Sequence, residues 1–271
     1  MNALIGEKLS IITSKVQTTR HRIMGIVNGD DFQIVYSDTP GIIQPVYKLQ
    51  EYMVKSSYSA LSDADIILYV TDVRETLDPE QDYLKKLSKI KVPVLLTINK
   101  IDLSSESKVK QLIAAWNNIL SGAEIIPVSA INNFNLEKLF NRIIELLPEA
   151  PPFYPKDEIT DKSERFFASE IIREKILLNY KKEIPYSVEI EIESFKESDN
   201  IIRIAGIIYV LRDSQKGILI GHQGQALKKT GTMARKDLES FFNKKIYLAL
   251  RIKVKKDWRN NPGILRQLGY H

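Results

Sequence analysis

The sequence predicts an α/β protein: a three-layer, mostly parallel sheet followed by a smaller α+β domain. In the first half, short apolar runs without strict alternation are separated by helical stretches, a pattern typical of parallel strands buried on both faces. Prolines then crowd residues 148–155, which excludes a helix or sheet interior and predicts a stiff extended linker. Beyond the linker the predicted order is helix-strand-strand-helix-helix-strand.

The first half is predicted to contain an edge hairpin and then buried strands joined by helices. Residues 22–27 and 32–37 are rich in β-formers and flank the turn signal Asn28-Gly29-Asp30-Asp31, which predicts an antiparallel hairpin. The predicted buried strands are 66–70, 93–98 and 124–128, and the predicted helices are about 46–61, 79–89, 105–120 and 135–147. In such a sheet, ligands bind beyond the carboxyl ends of the strands.

The second half is predicted to form a separate domain. Its predicted helices are 163–179, 214–220 and 224–242, and its predicted strands are 188–193, 201–210 and 246–254, before a basic tail helix. Residues 188–193 alternate apolar and acidic side chains, as expected for a strand with one wet face. The predicted domains are therefore 1–149 and 163–271, joined by the proline-rich linker 150–162.

Composition excludes several classes of protein and points to a polyanionic partner. The chain of 271 residues has no cysteine, which excludes disulfides, cysteine-based zinc sites and a thiol nucleophile, and fits a reducing cytoplasm. No apolar run approaches the roughly 20 residues needed to span a bilayer. Residues 201–271 carry 15 Lys and Arg against 4 Asp and Glu, which favours a nucleic-acid partner over a merely solvated basic surface.

A guanine-reading motif follows the second predicted buried strand. In Asn99-Lys100-Ile101-Asp102, the carboxylate of Asp102 would accept from the ring N–H and the exocyclic amine of guanine, a donor pair that adenine lacks. Asn99 would bond the purine and neighbouring loops, and the stem of Lys100 would cover the base. The backbone N–H of Ala130, after Ser129, would meet the guanine oxygen. The competing interpretation is an ordinary helix start capped by Asp.

Two further segments predict contacts to phosphate and Mg²⁺. Asp38-Thr39-Pro40-Gly41 ends the hairpin, where the carboxylate would hold Mg²⁺ and the N–H of Gly41 would approach a γ-phosphate. A hydroxyl of Thr18 or Thr19, with Thr19 favoured, would complete the Mg²⁺ site. The competing interpretations are an ordinary turn and an exposed polar loop.

The second domain contains a glycine loop with lysines after it. In Gly221-His222-Gln223-Gly224 the glycines would let the backbone lie against nucleotide phosphates, and a basic helix would attract them. The basic residues concerned are Lys228, Lys229, Arg235 and Lys236. A purely structural loop is the alternative. Farther on, Trp258 lies in a basic segment and is predicted either to stack on a base or to pack internally.

These motifs together resemble the Era family of bacterial GTPases, over essentially the whole chain. The resemblance adds Gln17-Thr18-Thr19-Arg20-His21-Arg22 to the segments above. It implies a P-loop-GTPase-like domain with a C-terminal type II KH domain, and hydrolysis of GTP to GDP with Mg²⁺. It also implies binding to the 3′ region of 16S ribosomal RNA, assistance to small-subunit assembly, and a monomer. The implied location is the cytoplasm, with peripheral association at the inner face of the cell membrane left open.

The chain departs from this family at its start. The phosphate loop, G-x-x-x-x-G-K-S/T, is absent, and residues 1–8 resemble the helix that follows it, which predicts an N-terminally truncated sequence lacking the first strand. Ile42 and Ile43 follow Gly41, so no group to orient water is identified and slow intrinsic hydrolysis is expected. Two alternatives remain: a nonenzymatic RNA-binding protein with a relic GTPase domain, and a peripheral membrane protein.

Overall fold

The computed structural model describes residues 1–75 and 82–270. The elements of the first part are α1 (Asn2–Ile5), β1 (Ile23–Asn28), β2 (Gln33–Asp38), α2 (Lys48–Ser62), β3 (Ile67–Asp72), α3 (Asp82–Leu87), β4 (Val94–Asn99), α4 (Glu106–Ile119), β5 (Glu124–Pro127) and α5 (Leu136–Leu146). Those of the second part are α6 (Glu164–Asn179), α7 (Ile184–Ser187), β6 (Glu189–Glu197), β7 (Ile201–Val210), α8 (Asp213–Ile220), α9 (Gln225–Phe242), β8 (Lys245–Val254) and α10 (Pro262–Gln267). The predicted order of elements is confirmed; the first residues of the predicted helix 79–89 lie outside the described ranges.

The chain divides into two compact units. Unit 1 comprises Met1–Glu7, Gly25–Ser37 and Tyr58–Ile159, and unit 2 comprises Lys8–Met24, Asp38–Ser57 and Thr160–His271. Two segments that precede residue 58 therefore pack with the C-terminal part of the chain. No helix in the described part combines the length and apolar character that crossing a membrane requires.

Unit 1 is built on a parallel sheet in the order β3-β4-β5. Its central strand β4 is almost wholly buried, with Leu96 and Ile98 at 0% exposure, as its continuous apolar sequence predicts. In the register, Asp72 at the end of β3 lies beside Asn99 at the end of β4. The sheet thus aligns the carboxyl ends of its strands, where the sequence places the base-reading motif.

The hairpin differs from its prediction as the edge of that sheet. Within the described ranges, β1 and β2 pair with each other in a separate two-stranded sheet. The N–H of Ile26 in β1 donates to the carbonyl of Ile159 (2.9 Å), and Oε1 of Gln33 accepts from the N–H groups of Phe153 and Tyr154. Hydrogen bonds to the backbone of the linker 150–162 thus satisfy polar groups of the hairpin that would otherwise bond to a neighbouring strand.

Unit 2 has a mixed sheet, in which β6 pairs antiparallel and β8 parallel with the central β7. Helix α6 packs on it through Ile172 and Ile176, both fully buried. A second cluster contains Leu49 and Met53 of α2 with Trp258 and residues of α10. Trp258 is 0% exposed and its indole N–H donates to the carbonyl of Ser187 (3.3 Å), so it packs internally and is not placed to stack on a base.

A buried ionic network lies within unit 2. Nη1 of Arg20 donates to Oε2 of Glu189 (2.9 Å), and the hydroxyl of Tyr270 donates to the same oxygen (2.8 Å). Arg173 donates from Nε and Nη2 to both carboxylate oxygens of Glu170 (2.8 and 2.6 Å). All of these side chains are buried, so each charge depends on its partner for the hydrogen bonds that water would otherwise supply.

Candidate functional site

The base-reading motif forms a bonded cluster at the strand ends of unit 1. Lys100 adopts the left-handed conformation (φ 60°) and begins a short 3-10 turn. Asp102 lies in this turn, three residues after the end of β4 at Asn99. Oδ1 of Asn99 accepts from the backbone N–H of Ala130 (3.0 Å), and Oδ1 of Asp102 accepts from the hydroxyl of Ser129 (2.5 Å). The structure therefore brings together the five residues that the sequence proposed for guanine recognition.

In this cluster the residue that holds Asp102 is buried, whereas the side chains that would contact a ligand are exposed. Ser129 is 2% exposed, whereas Asp102 and Lys100 are exposed. Among described residues, Oδ2 of Asp102 has no hydrogen-bond partner, so it is free to accept from a ligand. A carboxylate held through one oxygen keeps its orientation while the other oxygen remains available.

Asp72 belongs to this cluster and was missed at the level of sequence. Nζ of Lys100 donates to its Oδ2 (2.6 Å), and the N–H of Arg74 donates to its Oδ1 (2.8 Å). Burial raises the pKa of Asp72, but the hydrogen bonds from Lys100 and Arg74 outweigh it and leave this pKa below its usual range. The predicted strand 66–70 stops two residues before Asp72, whereas the observed β3 extends to Asp72 and places it beside Asn99.

The phosphate and Mg²⁺ residues predicted from the sequence lie in or beside the N-terminal segments of unit 2. Oδ2 of Asp38 accepts from Ser10 Oγ (2.6 Å) and lies 3.5 Å from Thr19 Oγ1. The hydroxyl of Thr18 instead donates to the carbonyl of Lys15 (2.7 Å). The geometry thus pairs Asp38 with Thr19 rather than with Thr18, and adds Ser10, which the sequence reasoning missed.

The segment after Asp38 is anchored through Pro40, whose carbonyl accepts from Ser57 Oγ (2.7 Å). Thr39 is half-buried, and Gly41 is exposed with open space where a Cβ would stand. No group of three or more His, Cys, Asp or Glu within the described ranges is arranged to hold a metal ion. One carboxylate and neighbouring hydroxyls nevertheless suit Mg²⁺, which takes few protein ligands and keeps several waters.

The glycine loop joins α8 to α9 and needs both of its glycines. Gly221 has φ 70°, and a Cβ on it would lie 2.6 Å from the Cβ of Ala226; Gly224 has φ 76°. Between them, His222 and Gln223 are exposed, and Gln223 itself has φ 48°. Positive φ angles at Gly221, Gln223 and Gly224 thus turn the chain tightly, and the two middle residues of the loop face solvent.

The basic residues after the loop divide into two groups. Lys228, Lys229 and Lys236 on α9 are exposed. Arg235 is half-buried and donates to Oε1 of Glu239 (2.6 Å), so part of its hydrogen-bonding capacity is already used. The lysines, more than Arg235, are available to a polyanion.

Family models match both parts of the chain. A model described as a 50S ribosome-binding GTPase matches residues 1–100, and one described as a KH domain matches residues 183–259. The KH match contains the glycine loop and the whole sheet of unit 2. The GTPase match contains the Asp38 segment and ends within the base-reading motif.

Solved structures match the fold over nearly its full length. A crystal structure of Era in complex with MgGDPNP and nucleotides 1506–1542 of 16S ribosomal RNA has a TM-score of 0.94 and 38% identity, covering 99% of this chain and 92% of that one. The crystal structure of a single-residue variant of Aquifex aeolicus Era, bound to GDP·AlF₄⁻, has the same TM-score and identity, and the match covers 99% of this chain and 93% of that one.

Curated relatives agree with the structures. GTPase Era of Clostridium kluyveri is 43% identical over 100% of this chain and 93% of its own length. GTPase Era of Syntrophus aciditrophicus is 44% identical over 100% of this chain and 90% of its own length. With the guanine-type cluster in unit 1 and the KH loop in unit 2, this similarity shows that the chain belongs to the Era family of GTPases.

Proposed function

We propose that the protein is a GTP-dependent switch that binds the 3′ region of 16S ribosomal RNA and assists assembly of the small ribosomal subunit. Its family membership supports GTP and GDP as ligands, with Mg²⁺ as the metal. The observation that carries the proposal is Asp102, which Ser129 holds through one carboxylate oxygen (2.5 Å) while the other stays open. The alternative of a nonenzymatic RNA-binding protein is not favoured, because the relatives that match the whole of this chain are GTPases.

Base choice would rest on Asp102 and its neighbours in unit 1. Its carboxylate accepts from the ring N–H and the amine of guanine, which adenine does not offer as a pair. Asn99 accepts from the N–H of Ala130 (3.0 Å) and so holds the loop after β5 in place. The ion pair with Asp72 fixes the end of the Lys100 side chain, whose stem would cover the base. We keep the domain boundaries predicted from the sequence as a proposal: a GTPase domain at 1–149, a linker at 150–162 and an RNA-binding domain at 163–271.

Switching would use the N-terminal segments of unit 2. Asp38 and Thr19 are the residues that would hold Mg²⁺, and Gly41 would meet the terminal phosphate. A bound metal ion would supply charge neutralisation of the phosphates. Arg173 donates to the carbonyl of Thr18 (2.6 Å), so the segment that contains Thr19 is bonded to a helix of the RNA-binding part. A change in that segment on hydrolysis would therefore reach α6 directly.

RNA binding would use the glycine loop and α9. The turn from Gly221 to Gly224 allows a nucleotide backbone to approach closely, and Lys228, Lys229 and Lys236 supply positive charge. We further propose that the protein acts as a monomer in the cytoplasm. Peripheral association with the inner membrane is a finer proposal, tested by co-sedimentation with anionic vesicles in the absence of RNA.

The nucleotide proposal is tested by Asp102→Asn, measured by equilibrium competition among GDP, XDP and ADP in the presence of Mg²⁺. Hydrogen bonds to a charged group contribute about 1.5–3 kcal/mol, so we expect guanine affinity to fall about 10- to 150-fold. Xanthine should gain, because its C2 carbonyl accepts from the new amide. Glu106→Gln, an exposed change on α4, is the control. Preference for adenine, or an unaltered preference in the variant, would contradict the proposal.

The RNA proposal is tested by the double variant His222→Asp and Gln223→Asp. Asp tolerates the left-handed conformation of Gln223, so the loop should keep its shape while two carboxylates repel phosphate. Fluorescence anisotropy with the RNA of nucleotides 1506–1542 should show binding lost at physiological salt. Unchanged affinity would show that the loop is structural only.

A further inference from the structure

The outer face of the sheet in unit 2 has no part in the function proposed above. The inner face carries the core under α6 and α9. Alternate residues of β8 point away from that core and are exposed: Lys245, Tyr247, Ala249, Arg251 and Lys253. This set, with Arg203 beside Tyr247 on β7 and Lys196 beside Arg203 on β6, is called the outer basic face below. The exposed acids Glu191 and Glu193 of β6 lie at its other end, near Arg251.

Tyr247 forms a platform on this face. It is 55% exposed, and the guanidinium of Arg203 lies 5.6 Å from the centre of its ring. Arg203 is its direct partner on β7, and the next pair on the same face is Ala205 with Ala249. The next register pair along the strands therefore places no large side chain beside the ring.

The positive charge of this face is largely unused within the protein. Among the described residues, Lys196, Arg203, Lys245 and Lys253 form no ion pair with a carboxylate. Arg251 does pair, with Glu193. Lys196 lies directly beside Arg203 in the register, so like charges are adjacent without a compensating acid. Adjacent unpaired charges cost stability, which an external anion would relieve.

Exposed tyrosine, a guanidinium over its ring and flanking lysines match the chemistry of single-stranded RNA. Bases of any sequence stack on an aromatic ring, while lysines along the strand follow the phosphates. A membrane surface fits less well, because no apolar side chain larger than that of Ala249 projects from these residues. We propose that the outer basic face is a second RNA-binding surface, on which a base stacks on Tyr247 and Arg203 contacts a neighbouring phosphate.

This inference rests on the proposed RNA-binding function and extends it. A KH loop clamps about four nucleotides, so a longer RNA has further nucleotides to place. The outer basic face would hold part of that remainder. Affinity for long RNA would then depend on both surfaces, whereas affinity for a fragment that fills only the loop would depend on the loop alone.

The experiment compares two RNA probes on the full chain. The long probe is the RNA of nucleotides 1506–1542, and the short probe is the tightest binder among its fragments of about six nucleotides. The variants are Tyr247→Ala and Arg203→Glu, both at exposed positions. Loss of the stacked base in Tyr247→Ala should lower affinity for the long probe about tenfold. Loss of the phosphate contact in Arg203→Glu should lower it by about the same factor. Affinity for the short probe should stay within about twofold.

A second readout separates charge from folding. If Arg203 contacts a phosphate, Arg203→Glu should reduce the slope of log affinity against log salt by roughly 0.7 or more for the long probe. Phe153→Ala removes an exposed ring, and Lys138→Glu makes the same change in net charge at an exposed site, both in unit 1. These matched controls should bind both probes like the parent protein.

The outcomes are distinguishable. If His222→Asp with Gln223→Asp abolishes binding of both probes while Tyr247→Ala weakens only the long one, both proposals stand. If Tyr247→Ala and Arg203→Glu leave the long probe unaffected, or weaken the short probe equally, the second surface is refuted and the loop proposal survives. Loss of anionic-vesicle binding in these variants, with unchanged RNA affinity, would assign the face to a membrane and overturn the inference. No binding of the long probe to the parent protein would refute both.

Discussion

The strand-end cluster of unit 1 and the ionic network of unit 2 use the same residue types for opposite purposes. The side chains of Lys100 and Asp72 are 50% and 25% exposed, whereas those of Arg20 and Glu189 are 4% and 7% exposed. In the first region water screens the charges, so the ion pair contributes little stability and its groups remain accessible. In the second, the charges are removed from water and each must be satisfied by the protein.

The difference teaches how polar residues with a ligand-binding role are separated from those with a structural one. The open oxygen of Asp102 has no protein partner among the described residues. Both oxygens of Glu170 accept from Arg173, and one oxygen of Glu189 accepts from two donors. A ligand site keeps unused hydrogen-bonding capacity, while a structural network consumes it. Arg173 Nη1 is the exception, a buried atom without a described partner.

The largest expected effect comes from breaking the buried network. Arg20→Met leaves Glu189 charged and buried, and removal of one partner of such a pair costs about 3–5 kcal/mol. We expect the free energy of unfolding of unit 2 to fall by this amount, which would lower its midpoint in a urea titration monitored by circular dichroism. Lys110→Met, at an exposed ion pair on α4, is the control and should have no measurable effect. Equal effects of the two variants would show that burial does not distinguish the regions.

An intermediate effect is expected from pH, through His21. Burial lowers the pKa of His21 below 6.5; Glu189 and Glu170 oppose this shift, and Arg173 and Arg20 add to it. The unfolded state therefore binds more protons, so the free energy of unfolding should decrease as pH falls below 6.5, by at most about 1.4 kcal/mol per pH unit.

Replacing His21 by Phe keeps a ring against Tyr270, on which the imidazole stacks at 4.3 Å, and should flatten this dependence. His222→Ala, at an exposed position, should leave the dependence as in the parent protein. Urea titrations between pH 5.5 and 7.5 are the measurement. The same slope in His21→Phe would show that other groups cause it.

The smallest effect is expected from Asp72→Asn. It removes an exposed ion pair, which contributes less than about 1 kcal/mol, so the free energy of unfolding should hardly change. Lys100 would lose its anchor, and guanine-nucleotide affinity should fall by about two- to fivefold. Competition binding and urea titration on the same sample give both numbers. A large loss of stability with no change in affinity would place Asp72 in the structural class.

Much of the strand-end cluster follows from local sequence. The apolar run that becomes β4 ends just before Asn99, and the run that becomes β5 ends just before Ser129. Parallel pairing alone therefore brings the two motifs to one edge of the sheet. The same reasoning did not reach Asp72, because the apolar run predicted as a strand ends at residue 70 and the observed β3 is two residues longer. The glycine loop is likewise local, since Gly221 and Gly224 both adopt the positive φ that glycine allows without strain.

The sequence by itself determined the order of elements, the position of the base-reading motif and the identity of the glycine loop, because periodicity and turn chemistry act between residues close in the chain. Only the tertiary structure decided that Trp258 is buried, that the hairpin forms its own sheet, and that Arg20 meets Glu189. Those outcomes depend on which distant surfaces exclude water together. Arg20 and Glu189 are 169 residues apart, and nothing in the local pattern of either selects the other.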